Sequence, residues 1–214
     1  ITYSVLTKAY LETNKLKLAM ITCQKAIDLD LQHGGSFPFA KLMYLLMGEL
    51  MYHNGQLKSA EAYIELGLDH VIRHGDVYSI IDGYSILMQI QIAKGDQEQA
   101  LALIDEMKDV LSGYSPSPNV LKIISSWETY VRVFLGQWKR VNSFIGEPGF
   151  ELYEDQSLFD LENHAYVGIY RVSQNPIKVY SDFLGITTTR LYLAKNEPEE
   201  GLRTIEEILS GMST

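Results

Sequence analysis

A repeat of about forty residues restricts what this chain can fold into more than any other feature. A turn residue followed five places later by a small or branched residue in an apolar run occurs at Asn14 with Ala19, Gly55 with Ala60, Gly95 with Ala100 and Gly136 with Val141. These turns lie 41, 40 and 41 residues apart. A fifth copy, Asn196 with Gly201, follows after 60, which leaves room for an insertion of about twenty residues before it. Gln32-His33-Gly34 and Arg73-His74-Gly75 repeat the same 41-residue offset. A period of this length marks a stack of similar supersecondary units, each unable to bury its apolar face alone.

The flanks of each turn carry helical periodicity. Before Gly55, Leu42, Leu45, Leu46, Leu50 and Met51 recur at spacings of three and four; after it Leu57, Ala60, Ile64, Gly67, Leu68 and Val71 do the same. The pattern predicts helices over 2–13 and 16–32, 38–54 and 56–73, 77–94 and 97–111, 119–135 and 138–145, and 178–195 and 198–210, with Gly or Asn supplying the left-handed helix ends. The expected architecture is all-α: antiparallel helix hairpins stacked as a right-handed superhelix with a concave and a convex face. It reads as one helical-repeat domain over 1–214, with pairs near 2–32, 38–73, 77–111, 119–145 and 178–210 and an irregular insertion over 146–177.

The spacing resembles the tetratricopeptide repeat (TPR), in which small residues let the two helix axes approach closely. The second copy fits best, with Tyr44, Met47, Gly48, Met51, Ala60, Ile64 and Gly67, and the first gives Tyr3, Leu6, Tyr10, Ala19, Cys23 and Ala26. In the third, Met88 and Met107 stand in small-residue places, so altered crossing angles are expected there. The long unit, the acidic composition, the phrase Trp127 to Trp138 and the run Leu184 to Leu209 are similar to the helical-repeat region of the large MalT-type, ATP-dependent transcriptional activators of the LuxR class. In that run Arg190, Leu191, Leu193, Ala194, Gly201, Leu202 and Ile205 hold the family's places. The resemblance implies a cytoplasmic, non-catalytic segment that senses an inducer and promotes oligomerisation. It would lie between an amino-terminal ATPase and a carboxy-terminal helix-turn-helix. ATP would then be bound only in a domain upstream of these residues, and no cofactor is expected within them.

Charge and composition exclude several alternatives. With 27 acidic and 18 basic residues the net charge is −9, which disfavours direct binding to nucleic acid. No GxxxxGK[ST] phosphate loop and no GxSxG elbow occur. One cysteine, Cys23, rules out an internal disulfide and any cysteine-based zinc site; it falls at an interior position, where a buried inert thiol is expected. No apolar run is long enough for a membrane span, and no secretory signal opens the chain. A chain opening on Ile1 rather than Met is expected to be a processed product or a fragment of a longer protein.

Candidate binding residues follow from the register. The first helix of each pair lines the concave groove, and one row there reads Lys8, Glu49, Gln89, Tyr130 and Arg190. Neighbouring rows add Glu12, Tyr52, His53, Asp82, Ser85 and Ser126. Such a mixture can hydrogen-bond a polar ligand while tyrosines stack on its apolar face. Its occupant is expected to be a small-molecule inducer or a protein or peptide; a solvated inner surface with no ligand is the plain alternative. A generic adaptor binding a peptide or helix is the second functional reading. The insertion, rich in Phe and Tyr, could form a lid or pack as a local plug. His70 and His74, four apart, share a helix face as two metal ligands would, but no third ligand has a recognisable spacing, and a histidine at a helix end is favourable in itself. No metal is expected.

Overall fold

The computed structural model describes residues 2–35, 37, 40–137, 139, 187 and 189–211, and among these the regular structure is helical. The helices are α1 (Thr2–Glu12), α2 (Leu16–Gln32), α3 (Ala40–His53), α4 (Leu57–His74), α5 (Val77–Lys94), α6 (Gln97–Ser112), α7 (Pro118–Phe134) and α8 (Pro198–Gly211). Residues 189–194 are also helical and precede α8 across the Asn196 turn. Apart from residues 139 and 187, the expected helix at 138–145, the beginning of that at 178–195 and the insertion at 146–177 lie outside the described residues.

The repeat is visible in backbone geometry. Asn14, Gly55, Gly95, Gly136 and Asn196 all take positive φ, between 53° and 79°. Each then closes its helix in the same way. The turn residue donates to the carbonyl three back, and the next residue to the carbonyl five back: Asn14 to Leu11 and Lys15 to Tyr10, Gly55 to Tyr52 and Gln56 to Met51, and so on to Asn196 with Leu193 and Glu197 with Tyr192. This double bond satisfies carbonyls that a helix end otherwise leaves open, and it needs a left-handed residue, hence Gly or Asn. Between hairpins, Gly75 (φ 70°) repeats the device. Helix starts are capped by side chains where the sequence offers them: Asp76 accepts from the Ser79 N–H (3.3 Å), Asp96 from Gln99 (3.0 Å) and Ser117 from Val120 (3.4 Å), with Pro118 opening α7.

Packing depends on the small residues. Ala19, Ala60 and Ala100, five after their turns, are fully buried. Gly48 leaves no room for a side chain: a Cβ there would meet Ile64 at 2.5 Å and the Ala60 carbonyl oxygen at 3.0 Å. Gly67 is filled by Leu45 and Gly83 by Leu68 in the same manner. Met88 and Met107 are completely buried where small residues were expected, so the third hairpin seals its crossing with flexible thioethers instead. The joint between the first two hairpins is a cluster of Ala19, Cys23 and Ala26 on α2 with Met43, Met47 and Leu50 on α3.

The described residues divide into two compact units, one ending at Ser115 and holding α1–α6, the other starting at Pro116 and holding α7 and α8. The division falls in the Ser115-Pro116-Ser117-Pro118 link, where prolines and the left-handed Ser115 (φ 50°) end helical continuity. Within the first unit the major packing is between successive helices and between the first helices of neighbouring hairpins, α1 with α3 and α3 with α5.

Candidate functional site

The first helices α1, α3 and α5 lie side by side, and that arrangement gathers side chains from three repeats. Lys8, Glu49 and Asp82 rim a concavity whose apolar floor is Leu42, Leu45, Leu46 and Ile86. Its volume is about 30 Å³, room for a water or the end of one side chain and far short of enclosing a metabolite. Helical spacing explains the gathering: Leu42, Leu45 and Leu46 share one side of α3, and Glu49 is the next residue along that stripe.

Glu49 is the electrostatic centre of this rim. Burial pushes its carboxyl above the ordinary carboxylate range; Asp82 adds to the shift, while Lys8 and His53 oppose it. His53 Nε2 stands 3.9 Å from Glu49 Oε1, one turn along α3, and the His53 ring packs beside Tyr52 at 5.5 Å between centroids. Gln89, expected in the same row, is half-buried and its amide donates to the Ser85 carbonyl of its own helix at 3.2 Å. Ser85 is buried, and its hydroxyl donates to the Asp82 carbonyl at 2.7 Å, so it presents nothing to a ligand. Of Glu12 only the backbone lies within the described structure.

A folded-state pKa above the unfolded one makes a carboxyl's contribution favourable below its ordinary value of 4.5 and lost as pH rises through the folded value. As pH rises towards neutrality the desolvated Glu49 therefore weakens the fold. Glu49→Gln should raise the melting temperature at pH 7, with the gain shrinking towards pH 4. A difference that stays constant across melting curves from pH 4 to 8 contradicts this electrostatic account.

The second unit contains the rest of the predicted row. Arg190 lies over the Tyr130 ring, its Cζ 5.2 Å from the centroid, and the same ring meets Trp127 edge-on at 5.4 Å and Phe134 at 6.3 Å. The tyrosine face proposed for stacking on a ligand is thus occupied by the chain's own guanidinium. Ser126 is buried rather than groove-lining.

Other singled-out residues have structural roles. Cys23 is fully buried, its Sγ 3.1 Å from the Met43 carbonyl oxygen, and burial pushes its thiol from 9.0 up to about 12. His74 Nδ1 is 2.9 Å from the His70 carbonyl oxygen, a bond in which that nitrogen donates, and the two rings stack at 4.0 Å. Among the described residues no three His, Cys, Asp or Glu side chains converge as a metal site, and no helix is long and apolar enough to cross a membrane. The sequence reading missed the leucine floor, because periodicity alone marks those leucines as core.

Comparison with known proteins supports this architecture. A family model described as the MalT-like TPR region matches residues 1–141. Two crystal structures of nearly identical TPR-like repeats, assigned to a kinesin light chain of Podosopora anserina, superpose with a TM-score of 0.57 at 13% identity. Each alignment covers 98% of this chain and 92% of the other. At that identity the likeness concerns the fold alone. No curated protein matches the chain.

Proposed function

The chain belongs to the MalT-like TPR region family, and from that membership we propose that it is the non-catalytic sensor segment of a larger cytoplasmic transcriptional activator, holding an effector on its concave face. A helical-repeat region of this kind is a protein-interaction and regulatory module. The convergence of Lys8, Glu49 and Asp82 from three successive first helices onto one apolar floor carries the reading. DNA contact and ATP hydrolysis would belong to other parts of the activator, in keeping with the net charge of −9.

The shape of the concavity favours a polypeptide effector over an enclosed inducer. Its floor suits the end of an aliphatic side chain, and its rim has two carboxylates against one ammonium. A lysine or arginine beside that aliphatic residue would relieve the desolvated Glu49. Peptides carrying Leu next to Lys or Arg should bind, as read by fluorescence anisotropy, and Glu49→Ala with Asp82→Ala should weaken them by about tenfold or more. A folded-state ligand must also raise the melting temperature. A saturable shift produced by a sugar, nucleotide or amino acid, and retained in the double variant, moves the function to small-molecule sensing elsewhere on the chain. Failure of both panels leaves the adaptor reading, with a partner of different chemistry.

A further inference from the structure

The last turn of α4 carries two histidines, and the repeat explains only one of them. His74 closes the helix: its Nδ1 donates to the His70 carbonyl oxygen at 2.9 Å. The first hairpin has the same device 41 residues earlier, where His33 Nδ1 stands 2.8 Å from the Leu29 carbonyl oxygen. The residue whose carbonyl accepts is Leu29 in the first hairpin and His70 in the second, so the cap works with an aliphatic side chain at that place. The imidazole of His70 is surplus to capping. It nevertheless stands against the other ring, with 4.0 Å between the His70 and His74 centroids and the planes 30° from parallel.

Coordination chemistry gives the pair a use. An imidazole whose Nδ1 donates to a backbone carbonyl keeps its lone pair on Nε2, the arrangement in which histidine ligates metal ions. His74 is held in that tautomer by its bond to the His70 carbonyl. Metal–nitrogen bonds of about 2.0–2.1 Å place two ligand nitrogens about 3 Å apart, a separation that rings stacked at 4.0 Å reach by rotation about their side-chain bonds. Positions four apart on one helix face supply that approach. Their platform is fixed: Gly75 ends the helix in the left-handed conformation, and the Tyr114 hydroxyl donates to the carbonyl of Ile72, between the two histidines. Local charge does not oppose a cation. Arg73 is paired with Asp69 at 2.5 Å, and the negative end of the α4 dipole lies at this turn.

We infer that His70 and His74 form a two-histidine chelate at the end of α4 for a divalent late transition-metal cation, copper(II) bound more tightly than nickel(II) or zinc(II). Among the described residues no third His, Cys, Asp or Glu side chain joins them, so water fills the remaining coordination positions. Such an ion exchanges with the medium and is not a requirement for folding, unlike a closed structural centre of four protein ligands. The chelate shares no residue with the concavity of Lys8, Glu49 and Asp82 and stands independently of the effector reading.

Titration of the untagged 214-residue chain with copper(II) in a weakly coordinating buffer tests it. Calorimetry should show one equivalent bound more tightly than by free imidazole, and the electron paramagnetic resonance spectrum should carry hyperfine structure from two ring nitrogens. His70→Leu installs the residue of the first hairpin, so folding should tolerate it, and it should weaken binding by about tenfold or more. His74→Ala should do the same, with circular dichroism to check the helix, while His33→Ala should leave the affinity unchanged. Zinc(II) should raise the melting temperature of the unaltered chain and not that of His70→Leu. Affinity that survives His70→Leu, or falls equally in His33→Ala, overturns the assignment. Binding by the unaltered chain no tighter than by free imidazole overturns it as well.

Discussion

Replacing Gly48 with leucine is expected to lower the melting temperature by about 6–12 °C, the consequence of roughly 3 kcal/mol of overpacking in a domain of this size. Even the first carbon of the new side chain would lie 2.5 Å from Ile64 and 3.0 Å from the Ala60 carbonyl. Ile64 could rotate away, but the carbonyl belongs to the α4 backbone and yields only if the two helices separate. Separation would open the Met47 and Leu50 cluster that joins this hairpin to α2. The gain in helix propensity on replacing glycine, about 1 kcal/mol, is too small to offset this. A useful control is Gly55→Ala, where a Cβ meets nothing within 4 Å and the cost is confined to the left-handed backbone (φ 73°), about 1–2 kcal/mol. Scanning calorimetry on the three proteins should rank them unaltered, Gly55→Ala, Gly48→Leu. Equal melting temperatures for the first and last would show that the helices do not cross at Gly48.

The second large effect concerns Cys23. Burial pushes its thiol from 9.0 up to about 12, so at pH 8 its thiolate population falls by about 1000-fold relative to an exposed cysteine before any steric protection is counted. Alkylation by iodoacetamide in the native chain should therefore be slower than in the urea-unfolded chain by on the order of that factor, followed by mass spectrometry. The residual rate reports opening of the α2–α3 joint, because the sulfur lies against the Met43 carbonyl oxygen of α3. Gly48→Leu should accelerate it. Native labelling as fast as that of the unfolded chain would place Cys23 outside the core.

The fold was legible because its punctuation is chemical. Asn14, Gly55, Gly95, Gly136 and Asn196 stand where the backbone must turn left-handed, and only residues tolerant of that conformation serve there. The alanines five places on were legible for the same reason, since a close helix crossing admits little else. Polar letters were a poorer guide. Ser85 satisfies its hydroxyl on its own helix, which lets a polar residue sit inside at little cost, and Ser126 is likewise buried. The approach of Leu68 to Gly83 was equally invisible, because it joins different hairpins and no short-range spacing encodes it. Tyr130 and Arg190 were set in one row from register alone, but that register could not reveal that the guanidinium would cover the ring.

The near-neighbour packing of the first unit has a consequence for biosynthesis. Among the described residues each helix there rests mainly on the one before it and the one after, so the strong contacts between these helices need not await the far end of the polypeptide. At about 5–20 residues per second of translation, a forty-residue hairpin emerges every 2–8 seconds or so, far longer than helices need to form and collapse. Each newly exposed hairpin can therefore settle on its predecessor while the ribosome is still at work, and the nascent chain would offer a chaperone only its latest uncovered face.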